Sequence, residues 1–208
     1  MRIRITFAKT AEMRYTGHLD LHRAWERLMR RAGLPLAYTQ GFSPHPRINL
    51  ASALPLGFTG AAEVVDIWLE RELPLDEITT ALRQAAPPGL RIEQVEAIDE
   101  RAPTLQTVLQ ASEFAITLLE PVPDLDHRRA ALLAAKDIPR ERRGKSYDLR
   151  PLILELQILP QDEQSRQRLL VCLVAREGAT GRPEELLEAL GIDPLSTRVH
   201  RTVLIFSV

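Results

Sequence analysis

One order of predicted elements, strand–helix–strand–strand–helix–strand, occurs twice along this 208-residue chain, and this repetition limits the fold more than any other feature. Residues 2–9 alternate apolar and polar side chains, as a half-buried strand does. Residues 20–32 carry an apolar stripe at helical spacing, with Asp20 placed to cap the helix and Gly33 placed to end it. The other elements of this half are strands at 47–53, 63–71 and 90–98 and a helix at 75–85.

The same order restarts after residue 112. The second set comprises strands at 113–119, 151–159, 168–175 and 198–208 and helices at 124–135 and 183–190. A long insertion, DIPRERRGKSYDLR, separates its first helix from its second strand. We therefore predict an α+β fold of two tandem ferredoxin-like (βαββαβ) lobes, residues 1–99 and 100–208, with a basic insertion at 136–150.

The composition is that of a globular protein with a sizeable core, since 45% of the residues are apolar and 26% are charged. We find no apolar leader and no run of about 18 apolar residues, so we expect no membrane partner. The lone Cys172 lies in LLVCLVA, a run typical of a buried strand, and one cysteine cannot form an internal disulfide. These features predict a cytoplasmic protein.

The net charge of −1 hides an uneven distribution of charge. Residues 1–50 contain nine Lys/Arg and three Asp/Glu, residues 51–126 contain four and fourteen, and residues 136–150 contain six and three. Such asymmetry can place a positive face on a neutral protein, and this face would suit a polyanionic partner. The alternative is that the charges only pair internally and maintain solubility.

Four arginines lie on the outer side of the helix predicted at 20–32: Arg23, Arg27, Arg30 and Arg31. Their spacing places them on one helical face, opposite the apolar stripe. Four guanidiniums on one face can neutralise phosphates of a nucleic acid. A solvated outer face without a ligand is the alternative.

The stretch YTQGFSPHPR at 38–47 has the composition of a binding loop. Gly41 permits a close backbone approach, and the two prolines stiffen the segment that presents His45 and Arg47. The predicted ligand-binding residues of this loop are Tyr38 and Phe42 for stacking on a base, Gln40 and Ser43 for its edge, and Gly41, His45 and Arg47. A purely structural crossover between two elements is the alternative.

Further basic residues occur in the second half. Arg150 precedes Pro151, and Arg182 precedes Pro183 at a predicted helix start, where it would add to the attraction of the helix dipole for anions. We predict both as ligand-binding residues. The run RERRGK at 140–145 is either part of the same basic surface or a mobile loop.

Two histidines are candidate catalytic residues. His18 stands at the start of the first helix and His45 in the 38–47 loop, and either can act as a general acid or base near neutral pH. The pair His18 and His22 has a spacing found in metal sites, but a third ligand would have to come from elsewhere in the chain, with His45 as the candidate, and we predict no metal. The chain has no GxxxxGK[ST] phosphate loop, because Pro139 stands where its first glycine would precede the GKS at 144–146. It also has no GxGxxG, GxSxG or CxxxCxxC, and we predict no cofactor.

The stretch GHLDLHRAWERLMRRAGLPLAYTQGFSPHPRINLASALPLG, with GRPEELLEALG later, resembles the radical-SAM-associated family of unknown function. Its members occur alone or joined to cobalamin-binding radical SAM proteins. The resemblance covers essentially the whole chain and rests on HLDL, YTQGFSPHPR and ALPLG, although the family typically reads QGFNPHP where Ser43 stands here. It implies a bacterial, cytoplasmic protein associated with radical SAM and RNA-processing systems.

These observations leave three functions open. The first is an RNA-binding accessory module for structured RNA that works with a radical SAM or RNA-processing system. The second is a protein-interaction domain that docks on a cobalamin-binding radical SAM protein without RNA. The third is a metal-independent endoribonuclease using His18 or His45, by a looser similarity in architecture to CRISPR repeat-processing endoribonucleases.

Overall fold

The computed structural model describes residues 1–142 and 144–207. The chain divides into two compact units, Met1–Val108 and Leu109–Ser207, whereas the sequence analysis placed the boundary at 99/100. Each unit combines strands with helices, so the predicted α+β class is confirmed. In the part of the chain that is described, no helix is both long and apolar enough to cross a membrane.

The first unit follows the predicted order of elements. They are β1 (Arg2–Lys9), α1 (His18–Arg31), β2 (Ile48–Leu50), β3 (Thr59–Trp68), α2 (Leu75–Ala85), β4 (Leu90–Ile98) and the short α3 (Leu105–Val108). The bounds of β1, α2 and β4 match the prediction.

The four strands of this unit pair in the order β2-β3-β1-β4, and every neighbour is antiparallel. Ile5, for example, lies opposite Val65 of β3 and Val95 of β4. Because β1 and β2 both run antiparallel to β3, they are parallel to each other, and α1 must run in the opposite direction to join them. The start of α1 therefore lies at the end of the sheet where Lys9 meets Gly60, and its end lies toward Trp68.

Both long helices of this unit bury their apolar faces against the sheet. Trp25 of α1 is fully buried and contacts the ring of Phe7 edge-on at a centroid distance of 4.9 Å. Ile78 and Leu82 of α2 join the same core, which includes Ile3, Ile5 and Val65. Burial of such side chains contributes about 1.5–3 kcal/mol each, so the core fixes α1 and directs its other face to solvent.

The second unit repeats the order with an inserted hairpin. Its elements are β5 (Leu109–Leu118), α4 (Leu125–Ala134), β6 (Pro139–Arg142), β7 (Lys145–Asp148), β8 (Ile153–Leu159), β9 (Arg168–Arg176), β10 (Ala179–Thr180), α5 (Pro183–Ala189) and β11 (Thr197–Phe206). The main strands pair antiparallel in the order β8-β9-β5-β11, and β10 also pairs with β9. Cys172 is buried in β9, as predicted.

Several predicted bounds are wrong. β2 is shorter than the strand predicted at 47–53, and β3 begins and ends earlier than the strand predicted at 63–71. β5 starts at Leu109 instead of residue 113. The last strand was predicted to reach Val208, which lies outside the described residues.

Candidate nucleic-acid interface

Helix α1 begins at His18, two residues before Asp20, so the predicted cap is wrong. Gly17 takes the cap position, and Asp20 lies in the first turn, where its carboxylate accepts a hydrogen bond from Arg23 at 3.2 Å. The predicted end is confirmed. Gly33 adopts a positive φ of 66°, and Leu34 N–H donates to the Met29 carbonyl at 3.1 Å.

The four arginines of α1 are all exposed, but they are not equally available to a ligand. Arg23 is paired with Asp20, and the nearby Glu26 carboxylate contacts Nδ1 of His22 at 3.2 Å instead of an arginine. Among the described residues, Arg27, Arg30 and Arg31 have no carboxylate within 4 Å. These three cations lie in the second half of the helix and are open to solvent.

The 38–47 loop is braced along both sides by the backbone. Tyr38 and Pro46 form an isolated bridge, Thr39 N–H donates to the His45 carbonyl at 2.9 Å, and the Thr39 hydroxyl accepts from His45 N–H at 3.0 Å. At its base, Arg47 N–H donates to the Ala37 carbonyl at 2.9 Å. The loop is therefore a narrow hairpin with its tip at residues 40–44.

The tip of this hairpin carries an aromatic ring in solvent. Phe42 has a relative exposure of 111%, and Tyr38 on the flank is 39% exposed. Gly41 has a φ of 129°, a conformation that side chains rarely adopt, so glycine is required next to the exposed ring. Gln40, Ser43 and His45 are exposed as well.

Arg47 is held at the base of the loop by Trp68. Its guanidinium lies over the Trp68 ring at 4.6 Å from the centroid, and Arg2 lies near the same ring at 5.0 Å. The backbone of Trp68 is tied to the loop, since its N–H donates to the Arg47 carbonyl at 3.1 Å. Sequence analysis missed Trp68 because it reaches the loop only through the sheet.

Arg2 forms an ion pair with a buried carboxylate, whereas Arg47 does not. The buried Asp66 accepts hydrogen bonds from Arg2 at 2.5 and 3.1 Å and from Arg4 at 2.8 and 3.0 Å. The hydrogen bond to Asp66 raises the pKa of Arg4. By contrast, Arg47 makes no ion pair within 4 Å in the described chain. The hydrogen bond from the N-terminal ammonium lowers the pKa of Glu100, and Arg47 makes a smaller contribution in the same direction. Arg47 therefore keeps a charged edge open to a ligand.

The loop and the second half of α1 lie at the same end of the first unit. The loop leads into β2 beside Trp68, the last residue of β3, and α1 ends toward that side of the sheet. His22 ties the helix to the same edge, since its Nε2 lies 3.4 Å from the Ile48 carbonyl. Arg30 and Arg31, in the last turn of α1, therefore lie toward this end of the sheet.

The two candidate catalytic histidines lie on different elements. His18 opens α1, and His45 lies on the returning side of the 38–47 loop, where its N–H donates to the Thr39 hydroxyl. Within residues 1–142 and 144–207, no three His, Cys, Asp or Glu side chains are grouped so that they could hold a metal ion.

Arg150 makes structural contacts within the second unit. Its Nε and Nη2 donate to the Leu133 carbonyl at 3.2 and 3.0 Å, and its N–H donates to Asp148 at 2.9 Å. A guanidinium at the end of α4 satisfies a carbonyl that the helix leaves open and complements the helix dipole. These contacts give Arg150 a place in the fold and leave fewer of its donors for a ligand.

Arg182 is exposed at the cap position of α5, but acidic residues fill the first turn of that helix. Glu184 and Glu185 follow directly, and Arg182 opposes the rise in pKa that burial causes in the Glu184 carboxyl. These carboxylates lie at the positive end of a seven-residue helix, where the sequence analysis predicted an anion bound through Arg182.

The basic run at 140–145 lies on the hairpin of β6 and β7, apart from Arg143, which lies outside the described residues. Arg142 forms a bidentate ion pair with Glu185, with N–O distances of 2.5 and 3.0 Å, and its guanidinium also lies over the Tyr147 ring. Burial, followed by the hydrogen bond to Glu185, raises the pKa of Tyr147 to about 12. Arg142 therefore links the β6–β7 hairpin to α5.

Known structures resemble the fold at low sequence identity. A chain of a Cbf5–Nop10–Gar1 complex gives a TM-score of 0.51 at 12% identity, over 97% of this chain and 48% of its own. A chain of the archaeal box H/ACA sRNP Nop10–Cbf5 complex gives 0.47 at 14% identity, over 97% and 47%. The present chain therefore spans about half the length of these structures. At such identities the likeness concerns the fold alone.

Comparison of the sequence with known proteins identifies a family. Residues 2–183 match the sequence model of a family described as an uncharacterized protein conserved in bacteria. No curated protein matches the sequence at a significant level.

Proposed function

This chain belongs to the family of uncharacterized proteins conserved in bacteria (DUF2344), and from that premise we propose that it is an RNA-binding accessory module. The observation that carries the proposal is the set of exposed cations at one end of the first unit. Arg27, Arg30 and Arg31 are free of carboxylate partners within the described chain, and Arg47 is fixed on Trp68 nearby. Guanidiniums in such a setting bind phosphate oxygens, and Arg is suited to this by its planar fork.

The test is the salt dependence of binding to a fluorescently labelled structured RNA. We expect the affinity to fall steeply as salt rises, because each phosphate contact releases counterions. The double variant Arg30→Gln/Arg31→Gln should bind more weakly and show a shallower salt dependence. Its matched control is Arg176→Gln/Arg182→Gln, which removes the same charge from exposed positions of the second unit.

Two outcomes contradict the proposal. Binding that does not change with salt would exclude phosphate contacts as its source. Equal losses in the two double variants would mean that net charge, and not this surface, governs the affinity.

We also propose that each unit is a ferredoxin-like lobe. The strand orders β2-β3-β1-β4 and β8-β9-β5-β11 support this proposal, because both correspond to one antiparallel arrangement of the βαββαβ unit. A duplicated α+β scaffold presents helices and loops on a rigid sheet, which suits a binding module. A cytoplasmic location is part of the same proposal.

A second candidate is docking on a cobalamin-binding radical SAM protein, as the resemblance of the sequence implies. It is supported by exposed apolar residues at the other end of α1: Tyr15 is 73%, Leu19 72% and Leu56 63% exposed. The hydrogen bond from Gly57 N–H to the Arg14 carbonyl at 3.0 Å brings the loop of Leu56 beside Tyr15. Exposed apolar residues that cluster in this way commonly mark contact surfaces between proteins.

Co-expression with such a radical SAM protein tests this candidate. We expect an RNA-free complex that Leu19→Asp/Leu56→Asp disrupts and Arg30→Gln/Arg31→Gln leaves intact. Separate elution of the two proteins on size exclusion would argue against docking.

A further inference from the structure

Resting on the proposed RNA-binding function, we propose that the tip of the 38–47 loop captures an unpaired nucleobase by stacking it on Phe42. The RNA class recognised would then contain a bulged, looped or single-stranded nucleotide within reach of the arginines. A continuous duplex would bind only through its phosphates.

The exposure of Phe42 is the first support for this inference. Phe is usually buried, and the 111% exposure of Phe42 leaves the ring open to solvent. A base that stacks on an exposed aromatic ring removes apolar area from water on both partners, and each such stack contributes measurably to affinity.

The rigidity of the loop is the second support. Its two sides are joined by the bridge of Tyr38 with Pro46 and by the backbone hydrogen bonds of Thr39 and His45. The two prolines fix the backbone on the returning side. The ring is therefore presented with little conformational entropy left to lose, unlike a ring on a mobile loop.

The polar surroundings of the ring favour a base over an apolar pocket of a protein. Gln40 and Ser43 flank Phe42 with amide and hydroxyl groups that can hydrogen-bond to the edge of a base. The buried core of a protein–protein interface is apolar, whereas residues 40–44 present one aromatic ring. Here one aromatic ring stands among hydrogen-bonding groups.

The distance to the nearest fixed cation suits a short stretch of RNA. Arg47 is five residues from Phe42, so the two Cα atoms are no more than about 18 Å apart. A nucleotide on the ring can thus belong to the same strand whose phosphates meet Arg47. Bases inside a duplex are stacked on each other, and only an unpaired base offers a free face to the ring.

The test uses two RNA hairpins that differ by a single bulged 2-aminopurine nucleotide. We expect the wild-type protein to bind the bulged hairpin more tightly than the fully paired one and to change the fluorescence of its 2-aminopurine. Phe42→Ala should weaken binding of the bulged hairpin about 5- to 150-fold, with no change for the paired hairpin. Phe42→Trp, which retains a stacking surface, should preserve the preference.

The outcomes separate this inference from the proposed function. If the wild type and Phe42→Ala bind both hairpins equally and in a salt-dependent way, base capture is wrong and RNA binding stands. If neither hairpin binds, both are wrong. If Phe42→Ala loses a co-expressed radical SAM protein while RNA binding is unchanged, Phe42 is a protein anchor and base capture is overturned.

Discussion

Asp66 supplies the buried negative charge that balances Arg2 and Arg4 in the first unit. Its carboxylate is fully buried and serves both Arg2 and Arg4, and Arg2 in turn donates to the carbonyls of Ala102 and Pro103 at 2.5 and 2.8 Å. This network fixes the chain that follows β4 beside the start of β1. It also keeps the charge of Arg2 within the protein, so Arg47 alone of the two offers its charge to a ligand.

We predict that Asp66→Asn destabilises the protein by about 3–5 kcal/mol, because it leaves a buried guanidinium without a countercharge. Urea denaturation followed by circular dichroism measures the change. Asp20→Asn is the control, since its pair with Arg23 is exposed at both ends and should contribute little. Similar midpoints for the two variants would contradict the prediction.

The two histidines should behave differently in RNA assays. His45 lies in the braced loop and His18 at the far end of α1, so we expect His45→Ala to weaken RNA binding a few-fold and His18→Ala to leave it unchanged. Because the proposed module binds RNA without cutting it, we expect neither variant nor the parent to cleave RNA in EDTA. Gel analysis of RNA lengths checks this prediction. Cleavage that persists in EDTA and is lost in His18→Ala would contradict it and support the endoribonuclease hypothesis.

At the scale of elements, the β6–β7 hairpin is held on the second unit by one charged cluster. Arg142 bridges the hairpin and Glu185 of α5, and the Tyr147 hydroxyl accepts a hydrogen bond from Arg142 at 3.1 Å. This pairing explains why a segment so rich in charge forms ordered strands. The sequence analysis considered a mobile loop here because the run has no apolar alternation.

Tyr147 gives the hairpin a pH dependence whose sign is fixed by its raised pKa of about 12. Below pH 10 the phenol is protonated in the folded and unfolded states alike, so its contribution to stability is fully present. Between pH 10 and 12 the unfolded phenol ionises first, and this contribution is lost. We predict that Tyr147→Phe shows a smaller loss of stability than the parent over this range, as measured by chemical denaturation at each pH.

Patterns in the sequence predicted elements best where burial alone decides them. The bounds of α2 and β4 were correct, since an apolar stripe or alternation spans each one. β3 was predicted to begin too late because Gly60, Ala61 and Ala62 have low strand propensity, yet Gly60 still pairs with Lys9. The cap of α1 was misplaced because Gly17 offers no side-chain signal.

The candidate site was only partly visible from the sequence. The loop residues and the arginine face were identified from composition and spacing. Which of these arginines are available to a ligand depends on contacts that no local pattern contains. Arg23 is paired with Asp20, Arg150 donates to the Leu133 carbonyl, and Arg47 lies over the Trp68 ring. Residues distant in the sequence set these roles.

For the whole molecule, a net charge of −1 means that long-range attraction to RNA is weak. Affinity must then come from short-range contacts of the local cations. If Arg27, Arg30, Arg31 and Arg47 each meet one phosphate of a single strand, the slope of log K against log salt should be about −3. Each substitution by Gln should reduce its magnitude by about 0.7. A slope near zero would contradict this prediction.

The packing of Arg47 on Trp68 also gives the protein an intrinsic optical signal. The chain has two tryptophans. Trp25 is fully buried in the core, whereas Trp68 lies beneath Arg47, which would contact the RNA. A ligand that draws the guanidinium away from the indole would alter the emission of that ring. We therefore expect unlabelled RNA to change the native fluorescence of the parent, and Arg47→Gln to lose this response.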